Sequence, residues 1–140
     1  MKKLLLLFLA ALMVLMVVGC GGSSNSSSGS GSDTDTTAEI TFIVTVPDNT
    51  PDDATIYAIG SLPGCSWDPT YTGYALTKNT DGTYSGTFTI KMGTYGYKFT
   101  RGGSWDTVEK DENGQELSDR TLNVTGDATV TATIAKWADL

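Results

Sequence analysis

From Ile40 onwards the chain alternates, and the alternation recurs in short segments cut by turn residues. Ile40, Phe42, Val44 and Val46 fall on one side of an extended chain, Thr41, Ile43 and Thr45 on the other. That period of two belongs to a strand with one buried face. Pro47, Asp48, Asn49 and Pro51 break it. A second strand is predicted near 55–60, and a turn-rich loop follows from Ser61 to Gly73. A short strand is expected at 74–77, then a turn at Asn79-Thr80-Asp81-Gly82. Tyr84, Gly86, Phe88 and Ile90 alternate with threonines and a serine. Met92-Gly93 turns the chain, and Tyr95, Tyr97 and Phe99 alternate with Gly96, Lys98 and Thr100. Two last strands are predicted at 121–125 and 128–135. No segment keeps a helical period. Six to eight short strands in about a hundred residues predict an all-β domain, an immunoglobulin-like antiparallel β-sandwich. An eight-stranded barrel is the alternative.

The domain so predicted covers residues 38–140, and the residues before it read differently. Lys2 and Lys3 precede an apolar run from Leu4 to Val18, too short for a spanning helix, which needs about 20 residues. It fits an export signal over 1–19. The run ends in Val17-Val18-Gly19-Cys20, which resembles the bacterial lipobox. The resemblance implies lipid on Cys20 and cleavage before it. Two or more acyl chains make a stable membrane anchor. Gly21 stands where an Asp would resemble an inner-membrane retention signal. A lipid-anchored place in the bacterial cell envelope, at the outer membrane or cell surface, is therefore expected. The remainder of 20–37 is rich in Ser and Gly and lacks any large apolar side chain, so it reads as a flexible tether.

Charge and composition exclude several functions. The chain has nine basic and sixteen acidic side chains and no His. Losing Lys2 and Lys3 with the signal leaves a net charge of −9. Such a surface repels phosphate backbones, so no nucleic-acid partner is expected. Without His there is no Ser-His-Asp or Cys-His catalysis and no histidine metal ligation. No G-x-S-x-G motif occurs either, and a non-catalytic protein without cofactor is expected. If Cys20 carries lipid, Cys65 has no partner in the chain and reads as a half-buried small hydrophobe in a loop.

Three pieces carry a family resemblance. The first is Ile59-Gly60-Ser61-Leu62-Pro63-Gly64-Cys65-Ser66-Trp67-Asp68-Pro69. The second is Tyr97-Lys98-Phe99 with Arg101-Gly102-Gly103-Ser104-Trp105, and the third is Asp119-Arg120 before a β-rich end near Trp137. In this order they resemble the starch-binding modules of glucoamylases and amylases, and the glycogen-binding domain of AMP-activated kinase β subunits. The resemblance implies a non-catalytic module for α-glucan: starch, glycogen or maltooligosaccharide; a monomer is expected. It places the two ligand tryptophans at Trp67 and Trp105 and the ligand lysine at Lys98. Asp119 stands where the families carry asparagine, and an ionised aspartate accepts hydrogen bonds without donating them. Trp137 matches a tryptophan that closes the domain.

The residues themselves agree with such a role. Two indoles set at an angle can cover the C–H faces of adjacent glucoses in a curling chain, and buried apolar area there is worth about 25 cal/mol per Å² before association costs. Lys98 faces away from Tyr97 and Phe99, on the outer face of its strand, where it can donate to hydroxyls. Asn113 and Gln115, in the loop from Lys110 to Asp119, are further candidate partners. Asp111, Asn113 and Glu116 loosely suggest calcium, but their spacing is not that of an EF-hand, and a solvated loop is the plainer reading. A competing function is a protein-interaction module that docks a cell-envelope enzyme or transporter without binding sugar.

Overall fold

The computed structural model describes residues 36–140; the signal, Cys20 and most of the tether lie outside the described residues. The first strand, β1 (Thr37–Thr45), starts one residue inside the segment read as linker. Its alternation is the predicted one: Ile40, Phe42 and Val44 have no exposed surface. There follow β2 (Ile56–Gly60), β3 (Ala75–Lys78), β4 (Tyr84–Lys91) and β5 (Gly93–Arg101). A single 3₁₀ turn, Trp105–Thr107, leads to the two-residue strand β6 (Glu109–Lys110). The chain ends with β7 (Arg120–Val124), β8 (Ala128–Thr133) and the two-residue β9 (Lys136–Trp137). No α-helix occurs among the described residues.

Seven strands form one ladder in the order β7-β5-β2-β3-β4-β1-β8, and β6 pairs with β9. The ladder folds over at β3. Ala75 and Leu76 pair with Tyr57 and Ile56 of β2, whereas Thr77 and Lys78 pair with Ser85 and Tyr84 of β4. One strand thus belongs to both layers. Phe42 of one layer meets Tyr97 and Phe99 of the other at ring-centroid distances of 5.5 and 6.0 Å. These edge-on contacts are the middle of the core. The ladder ends at β7 and β8, so the described residues form an open two-layer sandwich rather than a closed barrel.

The turn expected at Met92-Gly93 is present and carries the chain across the sandwich: β4 pairs with β1 and β3, while β5 pairs with β2 and β7 in the opposite layer. One detail departs from the antiparallel reading: the ladder between β1 and β8 is parallel. Residues 125–127 cross from β7 to the other layer, so β8 arrives beside β1 running the same way. The expected hairpin turn at Asn79–Gly82 is present, with Asn79 N–H donating to Thr83 O at 2.7 Å and Gly82 at φ +87°.

Trp137 is buried as expected and donates its indole N–H to Thr50 Oγ1 at 2.8 Å. Tyr97 is core; Tyr95 is only half-buried and donates to Lys91 O at 3.0 Å. Cys65, expected to be half-buried, is 1% exposed, because its loop plugs Leu62 and Cys65 into the core together. Glu109 also has no exposed surface. Its carboxylate accepts two bonds from Arg120 Nε, at 2.9 and 3.1 Å, and one from a terminal guanidinium nitrogen at 2.6 Å. Phe99 N–H adds a further bond at 3.0 Å. The pair is the structure's answer to burying a charge, which is tolerated only when neutralised and hydrogen-bonded.

Candidate functional site

The loop between β2 and β3 carries Trp67 in a constrained backbone. Ser66 and Trp67 both have positive φ, +47° and +59°. Each such non-glycine residue costs about 1–2 kcal/mol, so the surrounding contacts must hold it. Trp67 N–H donates to Gly60 O at 2.8 Å, and Cys65 N–H to Leu62 O at 2.9 Å. Asp68 closes the next turn by accepting from Thr70 Oγ1 at 2.7 Å and Thr70 N–H at 2.9 Å, which lowers its carboxyl pKa. The Trp67 indole then lies over Gly96 of β5. A Cβ at Gly96 would stand 3.3 Å from Trp67 Cζ2, so the bare glycine gives the ring its seat.

Trp105 arrives from the other side. Gly102 and Gly103, at φ +82° and +70°, bend the chain after β5. Ser104 caps the 3₁₀ turn, its hydroxyl accepting from Asp106 N–H at 3.2 Å. A Cβ on Gly103 would stand 3.2 Å from Pro69 O, so the two tryptophan-bearing loops touch at that point. The result is a pair of indoles on one side of the molecule, centroids 6.3 Å apart and planes inclined by 34°. Trp105 is 39% exposed and Trp67 half-buried.

Both rings line an open cleft of about 400 Å³. Trp67, Trp105 and Val108 give it apolar walls, and Lys98, Lys110, Glu116 and Asp119 its polar ones. Lys98 is on the outer face of β5, as its alternation predicts, yet it is only 7% exposed. The loop from Lys110 to Asp119 folds over it. Lys98 Nζ donates to Glu116 Oε1 at 2.6 Å and stands 3.7 Å from Asp119 Oδ1. Lys110 binds the second Glu116 oxygen. Hydrogen bonds from Lys110 and Lys98, and their charges, lower the Glu116 carboxyl from 4.5 to about 2. An ammonium has three N–H donors. Lys98 uses one on Glu116 and has Asp119 Oδ1 nearby, at 3.7 Å.

Four of the predicted site residues, Trp67, Lys98, Trp105 and Asp119, therefore line one cleft. Asn113 and Gln115 do not. Both are exposed, and Asn113 lines a neighbouring depression with Leu117 and Arg120. Their backbone N–H groups donate to Asp111 Oδ1 at 2.9 and 2.7 Å, forming the turn that supports the loop. The residues weighed for calcium are engaged otherwise: Asp111 holds its own turn and Glu116 holds two lysines. Sequence reasoning missed Glu116 and Lys110 as cleft residues. Asn113-Gly114 was the available signal, since a tight turn there sets Lys110 opposite Glu116.

Fold and cleft together define a β-sandwich module that presents paired indoles beside a buried, charge-paired lysine. Residues 56–138 match the family model described as the pullulanase X25 domain, and the chain belongs to that family. It is 43% identical over 102 residues to an α-amylase of Niallia circulans, covering 71% of this chain and 8% of that protein. It is 40% identical over 107 residues to an amylopullulanase of Thermoanaerobacter thermohydrosulfuricus, covering 73% and 7%. The chain thus spans only a small fraction of these relatives. Among solved structures, the family 15 glucoamylase of Hypocrea jecorina matches with a TM-score of 0.54 and 20% identity, over 72% of this chain and 17% of the other. The glucoamylase of Hormoconis resinae matches at 0.50 and 18%, over 69% and 17%. At these identities the two structures support the fold.

Proposed function

We propose that residues 38–140 form a non-catalytic module that binds α-glucan, stacking adjacent glucoses on Trp67 and Trp105 with Lys98 and Asp119 at their hydroxyls. The observation that carries this reading is the indole pair, 6.3 Å apart, tilted by 34° and open to one side. Parallel planes would suit a flat ribbon; inclined planes suit a chain that curls. Lys98 supplies donors and Asp119 an acceptor, which is what a hydroxyl, both donor and acceptor, requires. The amylase and amylopullulanase relatives support starch-like chains as the ligand class. Contacts of this size give affinities on the order of micromolar to millimolar, about −8 to −4 kcal/mol.

The proposal extends to the anchor. The lipobox-like Val17-Val18-Gly19-Cys20 supports lipid on Cys20, and the Ser/Gly-rich segment behind it supports a tethered module in the cell envelope. It would hold glucan near a membrane, working as a monomer. Electrophoresis through gels cast with amylopectin tests the binding. Retardation of the wild-type chain, lost in a Trp67→Ala, Trp105→Ala double variant, supports it; equal mobility of the two overturns it. Metabolic labelling with radioactive palmitate, compared with a Cys20→Ala variant, tests the anchor.

A further inference from the structure

We infer that Glu116 is a specificity-determining residue, which makes the cleft take neutral sugar units and turn away anionic ones. The inference rests on the glucan reading above. It starts from an oddity of the site: a ligand lysine that is nearly buried and already ion-paired. Lys98 and Lys110 both converge on the two oxygens of Glu116, and Asp119 stands 3.7 Å from Lys98. Two ammoniums and two carboxylates share one cleft, so its local charge cancels.

Cancellation has a chemical consequence. Ammonium and carboxylate side by side suit a sugar hydroxyl, which donates to a carboxylate while accepting from an ammonium. A sulfate or phosphate only accepts. It would meet two carboxylates within reach of the same lysines, and like charges at such distances repel. Removing Glu116 changes the cleft's character. Lys98 and Lys110 would then face the ligand with one carboxylate of the lining, Asp119, left beside Lys98. Two ammoniums in a partly enclosed site are a typical anion receptor. The single carboxylate of Glu116 therefore separates a neutral-sugar cleft from an anion cleft. Its own side chain is 66% exposed, so exchanging it does not disturb the core.

Calorimetric titration of the 140-residue chain with maltoheptaose and with maltoheptaose carrying one sulfate per glucose tests this. The wild type should bind the neutral probe at least about tenfold more tightly. Glu116→Gln should narrow or reverse that ratio by about five- to tenfold, and adding Lys110→Gln should restore much of it. Asp53→Asn, which removes an exposed carboxylate away from the cleft lining, carries the same change of net charge and should leave the ratio alone. An unchanged ratio in Glu116→Gln, or an equal change in Asp53→Asn, overturns the inference. If the wild type binds both probes equally, selectivity alone fails. If it binds neither, the glucan reading fails and selectivity with it.

Discussion

Arg120 closes a two-pronged bridge on Glu109, a carboxylate with no exposed surface, and in doing so ties β6 to β7 beneath the cleft. The neighbours of this pair, Val108 and Lys110 on one side and Asp119 on the other, are cleft residues. The bridge therefore underpins the site without touching it. Fixed hydrogen bonds to Glu109, more than charge, raise the Arg120 pKa further and keep it a cation at every accessible pH.

Glu109→Ala should be the most damaging single change among the polar residues. It leaves Arg120 and Phe99 N–H without their shared partner, and breaking such a pair costs about 3–5 kcal/mol. Arg120 is partly exposed, which points to the lower end. Urea denaturation of wild type and variant measures the difference.

Trp105→Ala and Trp67→Ala should part company. Trp105 is exposed, so its loss should cost about 1 kcal/mol or less in stability while weakening glucan binding about tenfold or more. Trp67 is also packed on Gly96, so its loss should cost about 1–3 kcal/mol in stability as well as the binding. Paired thermal unfolding and titration with maltoheptaose separate the two effects.

Ser66→Gly should stabilise the fold and weaken the site. Glycine relieves the left-handed backbone at φ +47°, a gain of about 0.5–1 kcal/mol after its extra unfolded-state entropy. The same freedom loosens the turn that aims Trp67, and affinity should fall about two- to threefold. A higher melting temperature with unchanged or tighter binding would contradict this.

Acid should reach the lysine clasp late. The Glu116 carboxyl is lowered from 4.5 to about 2, so the folded state holds its proton more weakly than the unfolded chain. Its contribution is complete above about pH 4.5 and is lost as the pH falls through about 2. The stability difference between wild type and Glu116→Gln should hold at neutral pH, shrink across that window and vanish below it. Denaturation midpoints measured from pH 7 to pH 1.5 follow the change.

What could be read from the sequence was local. The alternation of β1 located Ile40, Phe42 and Val44 in the core because the period of two needs no knowledge of neighbours. Trp67 and Trp105 stood out because glycines and a proline flank them, and such backbone belongs at the surface. What escaped was long-range. Lys98 was correctly placed on the outer face of β5, but its cover comes from a loop folded back from residues 110–119. Glu109 reads as one acid in an acidic run, and only the arrival of Arg120 from β7 explains its burial. The division of β3 between two layers and the parallel run of β8 depend on where other strands settle, which local pattern does not encode.

The position of β1 bears on how the domain would take a mechanical load. A pull arriving at Thr37 acts along the axis of that strand, and β1 is hydrogen-bonded on both flanks, to β4 from Thr37 to Val44 and to β8 from Ile40 to Thr45. Bonds loaded in shear share the force and must yield together, whereas a terminal hairpin would unzip rung by rung. A first strand clamped on both flanks in this way resists being peeled from its layer one bond at a time.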